Sequence, residues 1–427
     1  MAKQRVWKNY LVAALSSSVM MLSATTAFAD STELSLDDSI AMALQNNPSI
    51  KMAVKDQEKA GYGIDQAKAG KMPSLSLGTS GTHGDTTAGQ VGDSFSTSLK
   101  LSMPLYTGGK LESTIDQAKI NAESAQQGVV KAQEELRLDA ANAYYTVLQS
   151  QNLVQVNEET VTSLEEHLKT VQAQYEVGTV AKADVLRSEV ELANAKQNLT
   201  KAKNNYDVAV SSLNNIIGAP LATEHVYKDS LQYAPYDTSL DDSIAMALAK
   251  RPEIIQSQYN IAASKAGVEI AKSGNRPTVS MSGSQGWSGS DFPGDNKNWS
   301  VGVAANWNVF DSGLTNAQVK GAQAALDKAE EQDAQTRSSI ELEVRQNYSS
   351  MQEAKERIDT SQVAVNKAEE DLSIAKVKYG AGAGTNLDVI DAQVALTQAK
   401  TNYTQALYDY NVNKAKVIKA VALQAGN

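Results

Sequence analysis

The ten-residue stretch SLDDSIAMAL occurs twice in this 427-residue chain, at Ser35–Leu44 and again at Ser239–Leu248. The two copies are 204 positions apart, and the same offset relates many residues further along the chain. The pairs that keep this offset are Pro48 and Pro252, Pro73 and Pro277, Tyr106 and Phe310, Gly109 and Gly313, Tyr175 and Tyr379, Gly178 and Gly382, and Asp184 and Asp388. Self-similarity at a fixed offset over this length predicts two copies of one structural unit.

Each unit is predicted to contain short helices, a strand hairpin and a long helical hairpin. Capping-box patterns at Ser35 and Ser239 begin a short helix, which ends before Pro48 or Pro252. Apolar residues then alternate with polar ones, as in a strand, before they recur at steps of three and four, as in a coiled coil. The predicted boundaries are 30–238 for the first repeat, with strands in 74–104, helices in 111–216 and a linker at 217–238, and 239–427 for the second, with strands in 278–309 and helices in 314–421.

The first residues have the pattern of a secretory signal peptide. Lys3, Arg5 and Lys8 form a basic region, the apolar run LVAALSSSVMML follows, and Ala27-Phe28-Ala29 fits a cleavage site between small residues. We therefore predict that residues 1–29 are a signal peptide. A retained membrane anchor is the alternative, but the apolar run is too short to span a bilayer.

Composition excludes several classes of protein. The chain has no cysteine, which rules out a disulfide framework, a thiolate metal site and a cysteine nucleophile. Its formal charge is −10, and loss of the three basic residues of the signal makes it −13, so nucleic acid is a poor candidate partner. His83, His167 and His225 have no metal-ligand spacing and are interpreted as ordinary surface residues. No catalytic or cofactor-binding motif is present, so we predict neither an enzyme nor a cofactor.

The predicted strands have one apolar face and carry the large aromatic residues. In SFSTSLKLSMP, residues 94–104, large residues alternate with serine and Lys100. The aromatic residues are Phe95, Trp287, Trp299, Trp307 and Phe310. Their placement indicates the aromatic girdle of a membrane β-barrel, because an extended span from Trp299 to Phe310, roughly 36 Å, rises about 28 Å at a ~40° tilt. A soluble sheet with one buried face is the alternative.

Four strands do not close a barrel, and open sheet edges are not tolerated in lipid. We therefore expect the chain to oligomerise through these strands. Two copies would give about eight strands and three about twelve, and only the larger barrel leaves a water-filled lumen. Serine, glycine and Lys100 on the second strand face suit such an interior.

A glycine-rich stretch near the C-terminus, YGAGAGTNLDVIDAQ at Tyr379–Gln393, raises the question of a nucleotide site. A dinucleotide-binding loop follows a strand and has the spacing G-x-G-x-x-G, whereas here a long helix precedes the spacing G-x-G-x-G. The glycines instead predict a turn between antiparallel helices, where positive φ is needed. The predicted helix-tip turn residues are Gly178 in the first repeat and Gly380, Gly382 and Gly384 in the second.

The order of these features resembles the TolC-type outer-membrane efflux protein family over the whole chain after the signal. The quoted motifs are the duplicated unit, YTGG at 106–109 or FDSG at 310–313 after the strands, and Asp-Val at 184–185 and 388–389 after the tip glycine. The resemblance implies a membrane α+β fold with four strands per chain. Three chains would then form a trimeric 12-stranded β-barrel in the outer membrane, continuous with an antiparallel coiled-coil α-helical barrel that extends into the periplasm.

The resemblance also implies the function and the partners. Family members are exit ducts of efflux pumps or type I secretion systems, which dock a periplasmic adaptor protein and an inner-membrane pump and pass drugs, other small molecules or polypeptides. We expect the same of this chain, as a homotrimer in outer-membrane lipid. The alternative is a non-conducting coiled-coil tether or spacer that uses its strands only as an anchor.

The candidate site residues cluster around the helix tips. Asp388 and Asp391 share one helix face, where the simplest reading is that acids in a first turn favour the helix dipole. The resemblance places ring-forming aspartates of the channel constriction at these two positions. It also implies a gate contact between Tyr379 and Asp184. Arg187 stands in the first repeat where the second has Asp391, and we expect this third gate residue to lie near Asp391 of a neighbouring helix. Gly384 stands where some relatives have a latch arginine.

Overall fold

The computed structural model describes residues 33–85 and 91–422. The predicted signal peptide, residues 1–29, lies outside the described residues. In chain order the elements are β1 (Glu33–Leu34), α1 (Leu36–Asn46), α2 (Pro48–Ala69), β2 (Ser74–Asp85), β3 (Val91–Tyr106), α3 (Lys110–Glu176), α4 (Lys182–Ile217), β4 (Val226–Tyr227), α5 (Leu240–Lys250), α6 (Pro252–Lys272) with a 3-10 turn at Ser273–Asn275, β5 (Thr278–Gly289), β6 (Asn296–Asn306), α7 (Leu314–Gly380) and α8 (Asn386–Ala420).

The duplication is reproduced element by element. The helices α1, α2, α3 and α4 and the strand β2 each begin 204 residues before α5, α6, α7, α8 and β5, respectively. Both α3 and α7 contain 67 residues, which corresponds to about 100 Å of helix. Gly109 and Gly313, which precede them, have φ values of 87° and 85°. The strands depart slightly from their predicted bounds, since β6 ends at Asn306 rather than near residue 309.

The four long strands form one antiparallel sheet in the order β2-β3-β5-β6. Because side chains alternate between faces, each face is set by the register. One row across the sheet contains Leu77, Leu99, Gln285 and Trp299, and an adjacent row on the other face contains Ser76, Lys100, Ser284 and Ser300. The sheet therefore has an apolar and a polar face, and its outer strands β2 and β6 each have one edge unpaired within the described chain.

The helices are held together by a series of small apolar clusters along their length. The largest cluster includes Tyr144, Leu213, Met351 and Tyr410, which are almost fully buried. In this region the Tyr144 hydroxyl contacts Asp229 Oδ2 at 2.8 Å, and the same oxygen accepts a hydrogen bond from the backbone N–H of Leu36 at the start of α1. Within the described residues, no helix has both the length and the apolar character needed to cross a membrane.

The tips of the two helical hairpins are built by the same turn. At the end of α3, the N–H groups of Gly178 and Thr179 donate to the carbonyls of Tyr175 (3.0 Å) and Gln174 (2.9 Å). At the end of α7, Gly382 and Ala383 repeat this pattern with Tyr379 (3.0 Å) and Lys378 (2.9 Å). These are the paired hydrogen bonds of a Schellman motif, whose turn residue is left-handed.

Only two of the four predicted turn glycines have the predicted positive φ. Gly178 and Gly382 have φ values of 78° and 72°, whereas Gly380 is the last residue of α7 and Gly384 has no positive φ. Gly384 instead lies close to the preceding turn, because a Cβ there would be 3.2 Å from both Lys378 Cβ and the Tyr379 nitrogen. Of the three predicted turn glycines of the second tip, Gly382 therefore supplies the positive φ, while Gly380 and Gly384 flank it without one.

This difference makes a direct prediction for alanine substitutions in the second tip. Gly382→Ala places a side chain at positive φ and should destabilise the tip by about 1 kcal/mol. Gly380→Ala is the matched control, because its position is helical and open, so it should be neutral or stabilising. Hydrogen exchange of the tip amides in the detergent-solubilised protein measures both. Equal protection in the two variants would contradict the assignment of the turn residue.

Candidate functional site at the helix tips

The two acidic residues of the predicted constriction lie on the exposed surface of the first turns of α8. Asp388 and Asp391 are both exposed. The Asp388 carboxylate accepts a hydrogen bond from the Thr385 backbone N–H at 2.8 Å, while the Asp388 N–H donates to the Thr385 hydroxyl oxygen at 3.2 Å, which completes a capping box. The hydrogen bonds from Thr385 lower the pKa of Asp388 below its ordinary value of 3.8. Asp388 therefore caps α8 and also presents a charge to solvent.

The predicted gate contacts are arranged differently from the expectation. Tyr379 is buried, with 5% of its surface exposed, and its hydroxyl has no hydrogen-bond partner, so the expected bond to Asp184 is not formed in this structure. Burial and, less strongly, the charge of Asp184 raise the pKa of Tyr379. Arg187 is exposed on α4 and makes no ion pair with Asp391 within the described chain. Tyr379 therefore acts here as part of the apolar cluster at the tip, with Val171, Val185 and Val389.

A polar contact that the sequence interpretation missed joins the two hairpins beside Tyr379. His167, on α3, is buried with 6% of its surface exposed, so its interpretation as a surface residue is wrong. Its Nε2 lies 2.6 Å from Asn386 Oδ1 on α8, and its ring packs edge-on against Tyr379 on α7, with 5.1 Å between ring centroids. One side chain of the first repeat thus contacts both helices of the second.

Asn386 extends this contact to the fourth long helix. Its Nδ2 donates to the main-chain carbonyl of Asp184 at 3.0 Å, and its Oδ1 also accepts from the Ser188 hydroxyl at 3.2 Å, both on α4. Because Asn386 Nδ2 donates to the Asp184 carbonyl, Oδ1 faces His167, so the imidazole Nε2 carries a proton and donates to this oxygen. Burial lowers the pKa of His167, with a further contribution from the Lys376 ammonium, although the Asn386 bond opposes both.

The burial of His167 has a signal in the sequence. Val161, Leu164, His167 and Val171 follow one another at steps of three and four residues and are all buried in the structure. His167 therefore lies on the buried stripe of α3, directly before the apolar heptad position of Leu168. The contact with Asn386 had no such signal, because these residues are 219 positions apart.

The predicted girdle residues lie at both ends of the sheet. Phe95, Trp287 and Trp299 lie toward the end at which the hairpin loops occur, and Phe95 packs edge-on against Phe292 of the second loop, at 6.3 Å between centroids. Trp307 and Phe310 lie beyond the last residue of β6 and are 61% and 86% exposed, so they follow the strand rather than belong to it. The indole N–H of Trp307 donates to the Asn275 carbonyl.

Comparison with known proteins identifies the family. The family model described as "Outer membrane efflux protein" matches residues 39–219 and 243–422. The chain is 25% identical to the outer membrane protein TolC of Escherichia coli over 400 residues, covering 88% of this chain and 80% of TolC. It is 24% identical to the alkaline protease secretion protein AprF of Pseudomonas aeruginosa, with 89% and 83% covered.

Solved structures agree at the level of the fold. The CmeC outer membrane channel of Campylobacter jejuni superposes with a TM-score of 0.77 at 20% identity, covering 90% of this chain and 85% of that one. The shared architecture is a mostly helical α+β fold. From the two matched repeats and this likeness, the chain belongs to the outer membrane efflux protein family, and it is an outer-membrane protein with a long periplasmic helical domain.

Proposed function

We propose that this chain forms the exit duct of an efflux pump or a type I secretion system, which passively conducts drugs, other small molecules or polypeptides out of the cell. The observation that carries the proposal is the sheet with one apolar face, one polar face and two open edges, continuous with helices of about 100 Å that end in acidic tips. An apolar outer face suits lipid and a polar inner face suits water. The polar face has a single charged residue among the described strands, Lys100.

The open edges support a trimer. Unpaired backbone groups of β2 and β6 are costly in lipid, so each edge requires a strand from another copy. Three copies supply about twelve strands, which is enough for a water-filled barrel. The long helices of the three copies then enclose a second, helical barrel in the periplasm. A periplasmic adaptor and an inner-membrane pump are the partners that such a duct requires to receive cargo.

In this trimer the acidic tips line the narrowest point. Asp388 and Asp391, exposed on one face of α8, are each repeated three times around the axis, which forms two acidic rings. A ring of like charges in a narrow, low-dielectric passage concentrates a negative potential and favours cations. The capping role of Asp388 keeps its carboxylate ionised and fixed in position.

Neutralising these rings should reduce cation selectivity. In planar bilayers, Asp388→Asn combined with Asp391→Asn should shift the reversal potential in a salt gradient toward zero. Thr385→Ala is the matched control, because it breaks the capping box without a change of charge and should leave the reversal potential in place. Unchanged selectivity in the double variant would remove the acidic-ring proposal.

The contact of His167 with Asn386 holds the tip closed. It takes the place of the latch arginine of some relatives, at whose position this chain has Gly384. This contact ties the first hairpin to the second, so the hairpins do not separate without breaking it. Around the ring lie Tyr379 and the Lys376 ammonium on α7 and Ser188 and Asp184 on α4. Arg187, exposed on α4, remains the proposed partner of Asp391 on a neighbouring hairpin, and Arg187→Ala should therefore raise the closed-state conductance.

Acid should loosen this closure. The pKa of His167 is lowered in the packed tip from its ordinary value of 6.5, so the contribution of the neutral ring is present above that value and is lost as pH falls below it. We expect channel opening to increase as pH falls from about 6.5 to about 5.5, by at most about tenfold per pH unit for each His167 of the trimer. His167→Gln keeps a donor for Asn386 and should abolish the dependence.

His225→Gln is the control for this pH prediction. His225 also contacts an asparagine, Asn214, at 2.9 Å, but it lies in the linker far from the tips. It should leave the pH response unchanged. A response that persists in His167→Gln would exclude His167 as its source.

The function itself is tested by the conductance of the purified oligomer. A duct gives discrete ion-conducting channels in planar bilayers, and deletion in the native host increases sensitivity to drugs or blocks secretion of a polypeptide. A detergent-stable oligomer that does not conduct, with no such phenotype, would favour the coiled-coil tether. Co-purification of an adaptor together with its inner-membrane pump then identifies the cargo class.

A further inference from the structure

Within the chain, the two helical hairpins meet along a row of polar side-chain pairs, which we call the α3–α8 seam. Residue numbers rise along α3 as they fall along α8, so the helices are antiparallel. The pairs are Thr146–Tyr408 (3.2 Å), Gln149–Gln405 (2.7 Å), Glu159–Lys400 (2.9 Å), Thr160–Thr397 (2.9 Å), Ser163–Gln393 (2.6 Å) and His167–Asn386 (2.6 Å). All but one of these pairs are uncharged.

The repeat provides a second set of surfaces equivalent to this seam. In the repeat, α7 is the counterpart of α3, and α4 is the counterpart of α8. Adding 204 to the α3 residue of a seam pair and subtracting 204 from its α8 residue therefore gives the equivalent pair on α7 and α4. The converted pairs are Ser350 with Asn204, Glu353 with Lys201, Val363 with Lys196, Ala364 with Ala193, Lys367 with Glu189 and Asp371 with Lys182. Every one of these residues is exposed in the isolated chain.

Three of the six converted pairs carry complementary charges. Along α7 the order is Glu353, Lys367, Asp371, and the residues opposite them on α4 are Lys201, Glu189 and Lys182. Among these three pairs the signs alternate on both helices, so the equivalent register sets opposite charges together at three places, while Lys196 on α4 faces Val363. A register shifted by one charged pair would set like charges together. Within the described chain, Glu353 and Lys367 pair with Arg357 and Glu370 on their own helix, and Arg357 also pairs with Asp409 on α8.

The α4 surface also has apolar area that the chain leaves uncovered. Leu186 and Val208 are 50% and 57% exposed. Their counterparts on α8, Ile390 and Val412, are only 4% and 8% exposed. The same two positions are therefore covered in the second repeat and open in the first. This is expected if α8 packs against α3 of the other hairpin, whereas α4 has no equivalent neighbour within the described chain.

We propose that α4 of one copy packs antiparallel against α7 of the next copy in the arrangement of the α3–α8 seam, with Asp371–Lys182, Lys367–Glu189 and Glu353–Lys201 as ion pairs between subunits. The occupant of these surfaces is thus a second copy of this chain. This inference rests on the trimer of the proposed function and specifies its helical interface. Ion pairs at the rim of an interface contribute little affinity, so their main effect is to fix the register.

The strand edges follow the same conversion. Within the chain, the pairing of β3 with β5 sets Leu99 opposite Gln285. The repeat counterparts of these strands are β6 and β2, so the equivalent pairing of β6 with β2 of the next copy sets Val303 opposite Gly81. Val303 lies on the apolar face with Trp299, and Gly81 lies on the apolar face with Leu77. The converted register therefore keeps the apolar face continuous across the junction between copies.

Cross-linking tests the interface, because the chain has no cysteine of its own. The pair Asp371→Cys and Lys182→Cys, treated with a short thiol cross-linker, should give covalent dimers and trimers. His167→Cys with Asn386→Cys is the matched control within one chain and should give only a monomer band. Asp371→Cys with Lys201→Cys is the mismatched control and should give no product, since Lys182 and Lys201 are about 28 Å apart along α4.

A charge exchange tests the ion pairs without cysteine. Asp371→Lys sets two lysines together at the interface and should reduce the fraction of trimer in detergent, most strongly at low salt. Adding Lys182→Asp should restore the trimer, because it re-forms the pair in the opposite sense. A double variant as weak as the single variant overturns the pairing.

The outcomes also separate this inference from the proposed function. A conducting trimer that gives no product between positions 371 and 182 overturns the interface and leaves the duct in place. A non-conducting trimer that does give this product overturns the duct and leaves the interface. Protein that forms no trimer overturns both.

Discussion

The hydrogen-bonded pairing of β3 with β5 is the contact on which the rest of this architecture depends. It joins the strand hairpins of the two repeats into one sheet and so fixes the repeats side by side. The helical hairpins that follow β3 and β6 are then adjacent, and α3 meets α8 along its length. Because the sheet is open, the same pairing leaves one free edge on β2 and one on β6. In the proposed trimer, a chain with two such edges is one segment of a ring.

The two junctions of the proposed ring use different chemistry. Inside the chain, the α3–α8 seam is mostly neutral, with hydroxyl and amide pairs and the buried His167. There the register is already fixed by the covalent connection and by the sheet. Between copies no such connection exists, and alternating charges are suited to select one register among several. Divergence of the repeats at positions such as His167 and Asp371 thus follows from the different physical demands on the two junctions.

The tip combines structural and functional demands in few residues. Asp388 closes the capping box of α8 while it carries a solvent-exposed charge, and Gly382 supplies the one left-handed residue of the turn. The apolar cluster beneath them includes Tyr379, whose hydroxyl is buried without a partner. His167 and Asn386 provide a polar bond inside that cluster, in a setting where burial disfavours the charged imidazole. In the proposed duct, closure and its response to acid therefore come from the same contact.

Much of the fold could be predicted from the sequence because it depends on local periodicity. Alternation defines the strands, steps of three and four define the helices, and the offset of 204 relates their starting points. The differences were local as well: β6 is shorter than predicted, and of the three predicted turn glycines of the second tip only Gly382 is left-handed. Three glycines in one stretch look alike in a sequence, whereas the hydrogen bonds of the turn select one of them.

By itself, the sequence determined the duplicated unit, the order of its elements and the exposed acids at the tip, because each of these depends on patterns among residues close together in the chain. Only the tertiary structure decided which residues meet across the hairpins. His167 and Asn386 are 219 positions apart, and their contact depends on how two long helices pack. The same packing left the Tyr379 hydroxyl without the bond expected from Asp184. It also revealed, through the repeat, which surfaces of α4 and α7 remain to be covered.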